Sequence, residues 1–135
     1  MISFQREEKL SVEEFRYVLE KSTLAERRPV DELERLAKML EHGNLIVTAR
    51  DNGKLIGVSR SLTDFVHCTY LSDLAVDIDY QKQGIGKELI RQTKTATPKA
   101  KLILLSAPKA VGYYPSIGMK RHEHCFFLDH VDELK

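Results

Sequence analysis

Leu74-Ala75-Val76-Asp77-Ile78-Asp79-Tyr80-Gln81-Lys82-Gln83-Gly84-Ile85-Gly86-Lys87-Glu88-Leu89-Ile90 is the stretch on which the reading of the whole chain turns. An apolar strand runs into a polar turn, then two glycines one residue apart, then an amphipathic helix. Glycines at such a turn let the backbone approach a ligand closely, and the free N–H groups of the helix start point at whatever lies above them. With the positive end of the helix dipole, the arrangement suits a phosphate or pyrophosphate. Lys82 and Lys87 add charge beside it. The two standard nucleotide loops do not fit. Glu88 stands where a Walker A loop needs Ser or Thr, and Leu89 stands where a dinucleotide fingerprint needs a third glycine.

Outward from this stretch the elements alternate in type. Ile2 to Arg6 reads as a strand, and Ser11 with Glu14 forms a capping box before Val12, Phe15, Val18 and Leu19 at helical spacing. Lys21 to Pro29 reads as a loop. A second helix is expected from Val30 to about Glu41, with Leu33, Leu36, Ala37 and Leu40 as its apolar stripe and Gly43 as its C′ glycine. Leu45 to Ala49, the turn Asp51-Asn52-Gly53 and Leu55 to Ser59 read as a hairpin, and Thr69 to Val76 as a further strand. The third helix is expected from Ile85 to about Ala96. Leu102 to Leu105 reads as a strand buried on both faces, followed by a short helix around Ala110 to Ile117 and a last strand around Cys125 to Leu128. The order predicts one α/β (α+β) domain over residues 1–135 with a mixed sheet.

Composition bounds the function. At 135 residues and 42% hydrophobic the chain can bury one core unaided, and 21 basic against 20 acidic side chains leave no bulk charge for a polyanion such as nucleic acid. Two cysteines, Cys68 and Cys125, make no disulfide framework; they read as small hydrophobes in a reducing, cytoplasmic compartment. The N-terminus lacks the apolar core of a secretory signal, and no run approaches the ~18 apolar residues of a membrane span. His122, His124, Cys125 and His130 lack zinc spacing and read as surface residues, so no metal is expected. Arg27-Arg28 reads as a solvated loop, and Arg60 with Asp64 as a charged loop at the end of the hairpin.

The spacing of Gln81, Gly84 and Gly86 resembles the Arg/Gln-x-x-Gly-x-Gly/Ala motif of the GNAT superfamily of acetyl-CoA-dependent N-acetyltransferases. Ala110-Val111-Gly112-Tyr113-Tyr114-Pro115-Ser116-Ile117-Gly118-Met119 is similar to that family's second signature, Ala-x-x-Phe-Tyr-x-x-Leu-Gly-Phe. The resemblance covers the chain in element order. It implies a mixed, mostly antiparallel central sheet flanked by about four helices, acetyl-CoA as co-substrate, and attack of a primary amine on the thioester. It puts pyrophosphate binding on Gln81, Lys82, Gln83, Gly84, Ile85, Gly86 and Lys87. It also sets the backbone of Leu74, Ala75 and Val76 along the pantetheine arm like an added strand, with a bulge splaying that strand from the next. Tyr114 takes the role of proton donor to the leaving thiolate, and Asp73, beside the acetyl position, is the candidate proton acceptor or amine-binding group. Two positions depart from the family. Pro115 disfavours helical geometry at Tyr114, and Ala107 replaces a cofactor-contacting asparagine. A small-molecule amine is the favoured acceptor; a protein lysine or N-terminus, or a non-catalytic acyl-CoA-binding module, are the alternatives. The family habit of pairing through C-terminal strands, with the apolar run Cys125 to Leu128, implies a homodimer.

Overall fold

Five strands, β1 (Ile2–Arg6), β2 (Leu45–Asp51), β3 (Lys54–Thr63), β4 (Cys68–Val76) and β5 (Lys101–Ile103), pair in chain order in a computed structural model that describes residues 1–135. The first four are antiparallel to their neighbours and β5 runs parallel to β4. The chain carries four helices, α1 (Val12–Lys21), α2 (Leu33–His42), α3 (Ile85–Ala96) and the short α4 (Tyr113–Ser116). The mixed, mostly antiparallel sheet is the one the sequence implies. Residues 1–105 and 106–135 form two compact units. No helix is long and apolar enough to cross a membrane.

In the first unit the sheet has a core on each face. Phe15, Val18 and Leu19 of α1 and Leu36 and Leu40 of α2 pack with Ile46, Val58 and Ala75. Ile85 and Leu89 of α3 pack with Val47, Ala49 and Ile56, against which Leu74 and Val76 lie. The alternation of Leu74, Ala75 and Val76 between these clusters is the period-2 signature of a strand covered on both sides. Ser11 caps α1 as its spacing requires: its hydroxyl accepts the Glu14 N–H at 3.1 Å and meets Glu14 Oε1 at 3.1 Å. The other Glu14 oxygen goes to Arg50 at 2.6 Å.

Several expectations change. α2 begins at Leu33, not Val30, because the backbone before it is spent on tight turns, Val30 N–H to Arg28 O at 2.9 Å and Glu32 N–H to Pro29 O at 3.0 Å. Its buried stripe shifts accordingly: Leu36 and Leu40 are buried with Met39 against them, while Leu33 and Ala37 are exposed. Gly43 is not a left-handed cap, its φ being −81°. A side chain is excluded there because a Cβ would lie 2.7 Å from Arg60 Cγ. β5 is an edge strand covered on one face only, with Leu102 and Leu104 half-buried and Ile103 and Leu105 exposed. Cys125 to Leu128 is not a strand. Its backbone finds no partner strand, and Phe126 and Phe127 are 89% and 78% exposed. Both cysteines are exposed as well, so neither acts as a buried hydrophobe.

One polar network ties β1, β2 and α1 together. Arg50 donates to Glu7 at 2.8 and 3.0 Å and to Glu14, and the Thr48 hydroxyl bonds Glu7. Burial alone would raise the Glu7 carboxyl, but the bonds from Arg50, Thr48 and Gln5 outweigh it and hold its pKa at about 2. A carboxyl lowered by folding stabilises the protein above its unfolded pKa and stops doing so as pH falls through the folded one. Acid should therefore weaken the fold progressively from about pH 4.5 to about pH 2. In Glu7→Gln, thermal melts across this range should be flatter with pH than the parent's, on top of a loss of about 1–3 kcal/mol at neutral pH.

Candidate active site at the open edge of the central sheet

β4 and β5 separate early. Their parallel pairing covers Cys68, Thr69 and Tyr70 opposite Lys101, Leu102 and Ile103, and from Leu71 onward no strand lies beside β4 on that side. On the β3 side the register slips between Arg60 and Ser61: Arg60 pairs with Asp73 but Ser61 with Leu71, so Ser72 is the extra residue of a bulge. The bulge implied by the family resemblance is therefore in β4, where the strand leaves its neighbour.

The ladder decides which backbone groups face the open edge. Asp77 N–H donates to Ile56 O at 2.8 Å, and Val58 stands opposite Ala75. By the alternation of an antiparallel pair, Ala75 turns its backbone toward β3, while Leu74 and Val76 turn theirs away. The expected strand-like pairing thus narrows from three residues to two, since Ala75 has its backbone groups engaged. The open stretch is bounded at both ends. Arg28 donates to Ser72 O at 2.7 Å, and Gln81 Nε2 donates to Val76 O at 2.9 Å. The Leu74 N–H and C=O and the Val76 N–H lie between these clasps.

The turn after β4 is built by side chains. Asp77, buried, accepts the Asp79 N–H through Oδ1 at 2.9 Å and leaves Oδ2 buried without a partner. Tyr80 is anchored to Asp51 at 2.7 Å. Lys82 (φ 64°) and Gly84 (φ 82°) both adopt left-handed backbone, which costs a non-glycine residue roughly 1–2 kcal/mol. Gly84 is the N-cap of α3 and carries no side chain, and a Cβ there would project into open space. The first backbone bond of α3 runs from Glu88 N–H to Gly84 O at 3.0 Å, so the Ile85, Gly86 and Lys87 N–H groups open on the outside of the helix start. Gln81, Lys82, Gln83 and Lys87 are exposed around it. The residues fit a pyrophosphate beside an extended amide-bearing chain: N–H groups and cations at the turn, and an unpaired strand edge leading away from it.

The same architecture recurs in known proteins. An acetyltransferase (GNAT) domain model matches residues 8–134. The chain belongs to the GNAT acetyltransferase family. A GNAT-family acetyltransferase from Streptococcus pneumoniae TIGR4 superimposes with TM-score 0.78 at 24% identity, over 97% of this chain and 98% of that one. An aminoglycoside acetyltransferase from an uncultured soil metagenomic sample, in complex with trehalose, gives 0.69 at 22% identity over 96% and 95%. Its complex with sisomicin gives 0.68 at 21% identity over 96% and 95%. At these identities the structures establish a shared fold. No curated protein sequence matches the chain. GNAT acetyltransferases are acyltransferases that generally use acetyl-CoA as the donor.

Within this GNAT domain the expected acid and base fare differently. Tyr114 lies in the second unit, in the first turn of α4, where Pro115 lacks only an N–H that the helix does not use. The Tyr114 carbonyl still accepts from Ile117 and Met119 at 3.2 and 3.0 Å. Tyr114 lies inside the helical span of α4, so the expected departure from helical geometry there does not occur. Its ring packs edge-to-face on Tyr113, with centroids 5.2 Å apart. Burial, with the neighbouring Tyr113, pushes the Tyr114 phenol up, which keeps it protonated at neutral pH.

Asp73 is 0% exposed, and both its oxygens are engaged: Oδ1 by Arg28 Nε and Oδ2 by Arg60 Nε. The side chain holds two guanidiniums and presents neither oxygen to an incoming amine. This corrects its assignment as a proton acceptor, and it corrects Arg28 and Arg60 as loop charges. Arg60 is buried on β3, with Nη1 on Met39 O at 2.9 Å and Nη2 on Ser72 Oγ at 3.1 Å. A signal was present in the sequence. An arginine in a strand that also carries Leu55, Ile56, Val58 and Leu62 and no acidic residue demands a partner from elsewhere if it is buried. Removing the carboxylate's charge should leave the buried Arg60 and the partly buried Arg28 without a counter-ion. Asp73→Asn is expected to lower the unfolding free energy by about 3 kcal/mol in urea titration. An unchanged midpoint would mean that the carboxylate bears no structural load.

Proposed function

We propose that this acetyltransferase transfers the acetyl group of acetyl-CoA to the primary amine of a small molecule, by direct attack in a ternary complex within a single domain over residues 1–135. The observation that carries the reading is the unpaired edge of β4, which runs from the bulge at Ser72 to the uncapped start of α3. The N–H groups of Ile85, Gly86 and Lys87, with the turn Gln81, Lys82, Gln83 and Gly84, would receive the pyrophosphate. Leu74 and Val76 would hydrogen-bond the amide-bearing arm, and a Leu74 N–H aimed at the acyl carbonyl would stabilise charge developing on its oxygen. Gln81 contributes by clasping Val76 O, which shapes the turn around the ligand.

In the reaction a bond forms between the amine nitrogen and the acyl carbon, and the carbon–sulfur bond breaks. The ammonium first loses one proton to solvent; on attack the nitrogen sheds a second, and the departing sulfur gains one, so that amide and free thiol are formed. Tyr114 is the donor to sulfur in this proposal, supported by the family signature around it and by a phenol that burial keeps protonated. Asp73 serves as a positioning residue through its two arginines. A small acceptor is supported by the aminoglycoside acetyltransferase among the structural relatives, whose chain this one nearly spans. A cytoplasmic location fits two unpaired, exposed cysteines.

We propose further that the protein is a homodimer. Phe126, Phe127, Leu128, Val131 and Leu134 are all exposed in the second unit, a concentration of apolar side chains that marks a partner surface, and two-fold pairing is the commonest way to cover one. Light scattering at micromolar concentration should give about twice 15.5 kDa; the monomer mass refutes it.

Thiol release from acetyl-CoA, screened against amines, polyamines, amino sugars and peptides, tests the activity. Tyr114→Phe should lower turnover by ~10²-fold at an almost unchanged melting temperature, and Tyr113→Phe should leave it near parental. Equal rates in both variants would remove Tyr114 from the chemistry. Tight coenzyme binding without thiol release would favour an acyl-CoA-binding module.

A further inference from the structure

The cluster at the bulge holds two positive charges against one negative charge. Arg60 is spent entirely on the interior: Asp73, the Met39 carbonyl at the end of α2, and the Ser72 hydroxyl. Asp73 has no further oxygen to offer. The surplus charge therefore belongs to Arg28, the one member that reaches the surface, with a side chain 20% exposed against 6% for Arg60 and 0% for Asp73. A mostly buried guanidinium that shares its one carboxylate with a second guanidinium is only half neutralised, and a further anion would complete its pairing.

Arg28 still has donors to give. A guanidinium carries five N–H groups. In Arg28 they engage Asp73 through Nε, the Arg27 carbonyl at 2.8 Å through Nη1 and the Ser72 carbonyl at 2.7 Å through Nη2. One N–H on each terminal nitrogen remains, the number that a carboxylate takes in a two-pronged pair. The position matters as much as the chemistry. Arg28 ends the 3-10 turn Leu24–Arg27 in the α1–α2 connection, and it grips the strand at Ser72. That is two residues, about 7 Å of strand, from the Leu74 N–H at the open edge. It reaches Asp73, which shares its sheet face with Ala75 and the α1–α2 core, opposite the face that α3 covers.

We propose that Arg28 binds a carboxylate carried by the acceptor, so that the amine substrate is an amino acid or a close relative with amine and carboxylate a few bonds apart. Arg28 then determines specificity: it draws the carboxylate to the bulge and so sets the amine beside Leu74. Arg60 and Asp73 act through it, by fixing the guanidinium and leaving its charge unbalanced. This inference rests on the acetyl transfer proposed above and extends it to the class of acceptor.

Matched acceptors test it. The common amino acids, β-alanine and γ-aminobutyrate are each compared with their own carboxamide in the thiol-release assay, with rates referred to the neutral amine because the amide also lowers the basicity of a nearby amine. The parent should favour the carboxylate member of its best pair by ~10-fold or more in kcat/KM, since a site built around a buried cation rejects an analogue that leaves it unpaired. Arg28→Gln should abolish that preference, bringing carboxylate and carboxamide to within about threefold of each other in kcat/KM, with the larger rise in KM on the carboxylate. Arg28→Lys keeps the charge without the fork and should retain part of the preference. It also guards against a glutamine variant that fails to fold. Equal use of acid and amide by the parent would overturn the proposal. So would an Arg28→Gln that lowers kcat equally on both, which would make Arg28 an aid to the transition state alone. Absence of thiol release with every acceptor refutes the acetyl-transfer reading instead. Calorimetric titration of the same pairs into the coenzyme-bound protein then decides for or against Arg28 separately.

Discussion

A buried carboxylate needs partners, and much of the first unit is arranged around the ones Asp73 has. Arg60 brings the end of α2 to β3 through the Met39 carbonyl, and Arg28 brings the α1–α2 connection to β4 through the Ser72 carbonyl. The extra residue of the bulge is thus held at its carbonyl by one arginine and at its hydroxyl by the other. Gly43 is bare of a side chain so that the aliphatic stem of Arg60 can pass. Two helices and a loop on one face are registered to the strand whose opposite edge is open.

That edge is the second consequence. Strand edges are ordinarily paired or covered, because unmet N–H and C=O groups invite unwanted partners. Here β4 leaves β5 after three paired residues, and the exposed stretch is limited by Arg28 at one end and Gln81 at the other. The remaining groups are few and lead straight to the start of α3, whose first N–H groups are also unmet. Both would be met by one extended, anionic, amide-bearing ligand, and in the proposed function the edge and the helix start are therefore parts of a single site.

Much of this was legible in the chain. The α3 span, the Asn52-Gly53 hairpin and the Ser11 cap follow from local rules, and each is found where its residues stand. The glycine-bearing turn was recognisable because left-handed backbone at Gly84 is a local requirement. The short-range pattern also misled in places. Leu102 to Leu105 and Cys125 to Leu128 are apolar runs of the same length, and periodicity does not say whether a second layer exists to cover them. The first became a half-covered edge strand and the second an exposed tail.

The sequence by itself determined the elements, the turn that opens α3, and the family signatures at Gln81 to Gly86 and around Tyr114, because each depends on residues within a few positions of one another. Only the tertiary structure decided the fate of the charges. Arg28, Arg60 and Asp73 are separated by 13 to 45 residues; Arg60 within a strand calls for a partner, but nothing local says which carboxylate supplies it or that the loop residue Arg28 shares it. Chain topology brings them together, and desolvation then makes their pairing obligatory. It turned a candidate base into a counter-ion and two loop charges into the frame of the site.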